Sequence, residues 1–203
     1  MKRIGILLII IGVVCLGVFG YQIIGQEQSQ QQSLIQAEER IKQGMDKQGE
    51  TELDNASSQD TAQAVESFDT EQDEAFATLE IPKLEKTLPI VEGTDPDSLE
   101  KGVGHLSNSV FPGQEEQILL SGHRDTVFRD FGELEIGDTF VVQMPYGEYT
   151  YEIRETEIVP EDDTSVIREM GEEVLVVTTC YPFHFVGSAP DRFVAYAYPV
   201  SEN

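Results

Sequence analysis

Positive charge is scarce in this chain. Its 203 residues hold 13 Lys and Arg against 38 Asp and Glu, a formal net charge of −25. No basic tract occurs, which excludes a nucleic-acid-binding role, because a phosphate backbone is held by clustered cations. Cysteine is scarcer: Cys15 lies inside an apolar run and Cys180 near the far end. A pair so placed supplies no intradomain disulfide framework, so the thiol at 180 can stay free. There is one long apolar run, and large apolar residues nearly vanish between Gly25 and Thr78, so that stretch lacks the material for a core.

The apolar run extends from Ile4 to Ile24 without a charge, about 31 Å as a helix and long enough to span a bilayer. Lys2 and Arg3 precede it and Glu27 follows, so residues 1–24 read as a transmembrane signal anchor. Its N-terminus is placed in the cytoplasm and the remainder outside the cell, a single-pass cell-membrane protein. A cleaved signal peptide would have a shorter core and small residues at its cleavage site, which GYQIIGQEQ does not offer. Residues 25–78 carry a net charge of −10 and are rich in Gln and Ser. Leu34, Ile35, Ile41 and Met45 recur at near-helical spacing, predicting a helix from about Gln26 to Gln48 within an otherwise flexible, solvated stalk acting as a spacer.

Residues 79–203, net −17, hold enough Val, Ile, Leu, Phe and Tyr for one core. Strands are predicted at 77–81, 88–91, 103–106, 118–121, 139–143, 149–159, 174–178 and 193–200, and helical turns at 95–99, 127–131 and 164–169. Many short strands and few helices indicate a mainly β closed barrel or a sandwich.

The chemistry concentrates between Val174 and Tyr198. Val174–Thr178 and Phe193–Tyr198 are β-branched and aromatic runs that read as buried strands. The loop between them holds Pro182, Gly187 and Pro190, with Tyr181, Phe183 and Phe185 able to wall a groove and His184 able to line it. Cys180 sits at one strand mouth, His123 at the mouth of Gln117–Ser121, and Arg192 at the start of the last strand. A nucleophilic thiol needs a base or a cation nearby. The three residues together could supply nucleophile, acid/base and oxyanion clamp. His105, after Gly102-Val103-Gly104, reads as structural or groove-lining.

The segments SGHRDTVF, VVTTCYPF and GSAPDRFVAYA resemble the sortase family, with the Cys-Tyr-Pro-Phe and Ala-Pro-x-Arg-Phe flanks most like class D. The resemblance runs from about Leu79 to Val200. It implies an eight-stranded sortase-type barrel and a catalytic trio of His123, Cys180 and Arg192, with Thr179 helping to hold substrate. It further implies a membrane-anchored cysteine transpeptidase that cuts a Leu-Pro-x-Thr-type C-terminal sorting signal after Thr. The acyl group then passes to a cell-wall amine, attaching surface proteins to Gram-positive peptidoglycan. The partners implied are sorting-signal-bearing surface proteins, a peptidoglycan precursor amine and the membrane; nucleic acid is not among them.

Two alternatives stay open, of which the first uses the same three residues. A cysteine protease would release the acyl-enzyme to water, and a non-catalytic surface scaffold would keep the barrel and ignore Cys180. No cofactor is required by an acyl-enzyme with an amine acceptor. The acidic clusters, Glu161-Asp162-Asp163 among them, read as solvated surface, with calcium as the alternative ligand for such oxygens. No residue is assigned to a metal.

Overall fold

Strand Val174–Tyr181 is buried on both faces, which is why its sequence is a continuous apolar run rather than an alternating one. Leu175 and Val177 point into one core with Ile118, Leu120 and Ala195, while Val174 and Val176 point the other way, against Leu119, Val194 and Tyr196. Each such Val or Leu contributes about 1.5–3 kcal/mol on burial.

The computed structural model describes residues 2–52, 58–185 and 187–200. In chain order the elements are α1 (Lys2–Glu52), α2 (Ser58–Glu66), β1 (Ala75–Ile81), β2 (Lys86–Glu92), α3 (Pro96–Lys101), β3 (Val103–His105), β4 (Gln117–Gly122), β5 (Thr139–Met144), β6 (Gly147–Pro160), β7 (Val174–Tyr181) and β8 (Asp191–Pro199). The strands close a barrel in the order β1-β2-β3-β4-β7-β8-β6-β5. The pairs β2/β3 and β4/β7 are parallel and the others antiparallel. All eight predicted strands are present, and closure selects the barrel over the sandwich. The parallel β4/β7 pair brings the C-terminal ends of two strands side by side, Gly122 opposite Thr179.

Three expectations are corrected. Residues 164–169 form turns, not a helix: the Gln117 side chain accepts the Arg168 N–H (3.3 Å) and Glu116 accepts those of Met170 (2.6 Å) and Gly171 (3.1 Å), replacing helical partners. Residues 127–131 lie in successive turns that lead into a 3₁₀ turn at Phe131–Glu133.

The third correction concerns the acidic segment. The barrel begins at Ala75, ahead of the expected boundary at Leu79, and residues 25–78 are not simply solvated. Ser33, Ala37 and Ile41 form a buried stripe on α1, and Ala37 packs with Ala75 and Val91. A Cβ on Gly44 would lie 2.0 Å from the Pro145 carbonyl oxygen, so only glycine lets the helix approach the β5–β6 turn so closely. Arg40 pairs with Glu74 at 2.6 Å and covers the Phe68 ring. Phe68 in turn meets Phe76, Phe111 and Tyr146 at 4.9–5.7 Å. Apart from Ile41, small residues at helical spacing make this surface, and a search for large apolar residues passes over them.

Among the described residues no helix is long and apolar enough to cross a membrane. The span expected over 4–24 falls partly on residues 2–8 and 19–24, whose side chains lie outside the described residues.

Candidate active site

Strand register builds the site. Cys180 on β7 stands directly opposite Arg192 on β8, so their side chains leave the sheet on the same face with Cβ atoms about 4.5–5.5 Å apart. That face is the outer one, continuing the row of Val176 and Val194. His123 follows Gly122 at the end of β4, where its carbonyl accepts the N–H groups of Thr126 (3.3 Å) and Phe128 (3.1 Å) and turns the chain sharply. A Cβ at Gly122 would meet the Phe128 ring at 2.5 Å, so this turn requires glycine.

His123, Cys180 and Arg192 line one groove of about 600 Å³, together with Asp125, Glu161 and Gln26. The Cys180 side chain is half-buried and His123 exposed. No hydrogen bond joins thiol and imidazole among the described residues, a spacing common before substrate tightens an active site.

The Arg192 guanidinium donates from Nη1 to the carbonyls of Ala189 (3.2 Å) and Asp191 (3.0 Å) and from Nη2 to Glu161 Oε2 (3.4 Å). These bonds hold the fork along the strand edge beside Cys180. Asp191 pairs with Tyr181, one residue out of phase with Cys180 and Arg192, so its carboxylate leaves the opposite face. The carboxylate near the guanidinium is therefore Glu161, which the sequence marked only as solvated surface or, alternatively, a calcium ligand. Its signal was available only through pairing: Pro160 lies opposite Asp191, and the Glu161 N–H donates to the Pro190 carbonyl (3.0 Å).

The remaining sequence-predicted residues separate. Thr179 is 2% exposed and its hydroxyl donates to the Gly122 carbonyl at 2.7 Å, so it faces the barrel interior and ties the end of β7 to the end of β4. Tyr181 stands edge-on to Phe183, which leans on Phe193. His184 lies not in the groove but in a neighbouring cleft of about 350 Å³ with Phe128, Gly132 and Phe183. His105 is buried, its Nδ1 2.7 Å from Glu92 Oε2 and its ring stacked on Phe111 at 4.6 Å; it belongs to the core.

Among the described residues no three His, Cys, Asp or Glu side chains gather as a metal site. Of the acidic run considered for calcium, Glu161 faces Arg192, and Asp163 is turned to Ser165, whose hydrogen bonds hold its carboxyl below the usual range.

Residues 79–200 match the Sortase domain family. Sortase D of Bacillus subtilis (strain 168) is 46% identical over 196 residues, which cover 96% of this chain and 96% of that protein. Among solved structures, the catalytic domain of B. anthracis SrtD is 43% identical with a TM-score of 0.56, covering 66% of this chain and 95% of that one. A Clostridium perfringens Sortase D5 transpeptidase is 23% identical with a TM-score of 0.67, over 86% and 99% of the two chains, a likeness of fold. On the family match and the class D relative together, the chain belongs to the sortase family of cysteine transpeptidases.

Proposed function

We propose that this protein cuts a Leu-Pro-x-Thr-type C-terminal sorting signal after Thr and passes the acyl group to a cell-wall amine, attaching surface proteins to peptidoglycan. The observation that carries the reading is the register Cys180 opposite Arg192, with His123 on the same groove. The Cys180 thiolate attacks the Thr carbonyl, and Arg192 stabilises the oxyanion from the adjacent strand. His123 protonates the departing amine, leaving a thioester on Cys180. The incoming amine attacks the thioester carbon and gives up a proton to His123, and the Cys180 thiolate leaves, restoring the starting charge state. Thr179, held behind the nucleophile by Gly122, keeps β4 and β7 aligned through both steps.

The apolar start of α1 is, in the same reading, the membrane anchor, with its N-terminus cytoplasmic and the barrel outside. Ile9, Ile11, Val13, Leu16 and Val18 are exposed on all sides of the helix, as a lipid-facing segment would be. Extraction of the full chain from membranes by alkaline carbonate would refute the anchor.

The test of activity incubates the protein with a signal peptide, with and without an amine acceptor, and weighs products and enzyme by mass spectrometry. A thioester on Cys180 that partitions to the amine product supports transpeptidation. Release to water alone, even at saturating amine, makes the protein a protease.

A further inference from the structure

Arg124, next to His123, is 6% exposed, a rare depth for a guanidinium unless every donor is used. Its fork reaches across the fold. Nη1 donates to the Pro182 carbonyl at 2.7 Å and Nη2 to the Gly187 carbonyl at 3.2 Å, while Nε meets Asp125 Oδ1 at 3.2 Å. Both carbonyls belong to the loop that leaves Cys180. Among the described residues no other group outside that loop hydrogen-bonds to residues 182–188, whose one further bond, Phe185 N–H to the Pro182 carbonyl, is internal. The same side chain lines the groove holding Cys180 and the cleft holding Phe183, so it stands in the wall between them.

We propose that Arg124 is a positioning residue for acyl transfer. It bridges the turn that presents His123 to the loop that follows Cys180, and so fixes the imidazole relative to the nucleophile. β4 and β7 are already paired up to Gly122 and Thr179. Past those residues the two segments diverge, His123 into its turn and Cys180 toward its loop, and among the described residues Arg124 makes the hydrogen bonds that span the gap. A planar fork aimed at two carbonyls is needed. A lysine carries the charge but a single point of donation, and one carbonyl would lose its partner.

The inference rests on the sortase reading, and the experiment separates the two. The full chain, in detergent, is assayed with a fluorogenic signal peptide, and turnover is normalised to the thioester burst, which counts competent sites. For Arg124→Lys the expected result is a kcat per competent site at least about tenfold down with KM changed less than about threefold, because alignment acts in the chemical step. Arg168→Lys, at an exposed guanidinium that lies over the Tyr196 ring at 5.6 Å and lines neither the groove nor the cleft, should keep kcat within about threefold of wild type. An unchanged kcat in Arg124→Lys, or a loss carried wholly by KM or by the burst, overturns the proposal. Should Arg124→Lys lack a cooperative melt, Arg124→Gln, which leaves no charge to bury, is judged by the same thresholds. If neither variant folds, Arg124 is a fold residue and the proposal fails. A wild-type chain with no thioester burst refutes the sortase reading instead.

Discussion

Where the barrel starts can be decided by truncation. A chain beginning at Leu79 loses the first half of β1, including Phe76, which is 1% exposed, and also loses Val65 and Phe68 from the core and its edge. Removal of a buried Phe side chain alone costs about 3–5 kcal/mol. The register pairs Ala75–Val91, Ala77–Ile90 and Thr78–Pro89 vanish as well, leaving the facing backbone of β2 unpaired, each lost bond worth about 1 kcal/mol. The sum exceeds about 5 kcal/mol, comparable with the whole stability of a domain of this size. A chain beginning at Ser58 keeps α2 and all of β1 and gives up α1, with its buried stripe and the Arg40–Glu74 pair. We expect the Leu79 chain to melt at least about 15–25 °C below the Ser58 chain, or without cooperativity. Circular dichroism or scanning calorimetry of the two decides it. A Leu79 chain melting within about 5 °C of the Ser58 chain would show that residues 58–78 carry little of the fold.

Cys180→Ala should retain the wild-type melt and lose all cleavage and transfer, since a methyl forms no thioester; more than a few per cent residual transfer would remove Cys180 from the mechanism. Arg192→Lys should lose about tenfold in turnover, roughly 1.4 kcal/mol, because a point charge does not reproduce the fork, and unchanged steady-state rates would exclude Arg192. Asp191→Lys should change turnover less than about threefold, because Asp191 leaves the opposite face of β8; a larger gain would mean that it neutralises the guanidinium. Acid should destabilise the fold. The backbone N–H of Met170, foremost, with those of Gly171 and Gln117, holds the Glu116 carboxyl below its ordinary value of 4.5. A lowered carboxyl contributes stability that is present above its unfolded value and is lost as pH falls through the folded one. The melting temperature should therefore drop below about pH 4.5 and drop less in Glu116→Gln; a melt that rises toward pH 3 contradicts this.

The strands were legible because burial on two faces writes itself as an unbroken apolar run, as in Val174–Val177. The meeting of Cys180 with Arg192 was not, since strand register depends on which strands become neighbours. Once β7 is known to pair with β8, the same two-residue period explains why Thr179 turns inward and Asp191 away. The failed helix at 164–169 has a related cause: its local pattern is helical, but Glu116 and Gln117, some fifty residues earlier, capture its backbone donors. Arg124 was hidden by its own composition, because nothing in a lone arginine beside a histidine distinguishes a buried clamp from a surface charge. The docking face of α1 escaped notice because, Ile41 apart, it is written in Ser33, Ala37 and Gly44, residues that count for little on any hydropathy measure.

Helix α1 is continuous from Lys2 to Glu52, with Gln26 at the rim of the groove and Gly44 against the β5–β6 turn. Mechanically it is a shaft and not a string. An anchor at its apolar start, as proposed above, would also set the heading of the groove. A single residue inserted before Gln26 would turn the upstream segment by about 100° and displace it by about 1.5 Å relative to Cys180. In a chain so anchored, the direction from which a second protein could approach the thiol would follow helical phase, a quantity that a flexible tether of the same length would average away.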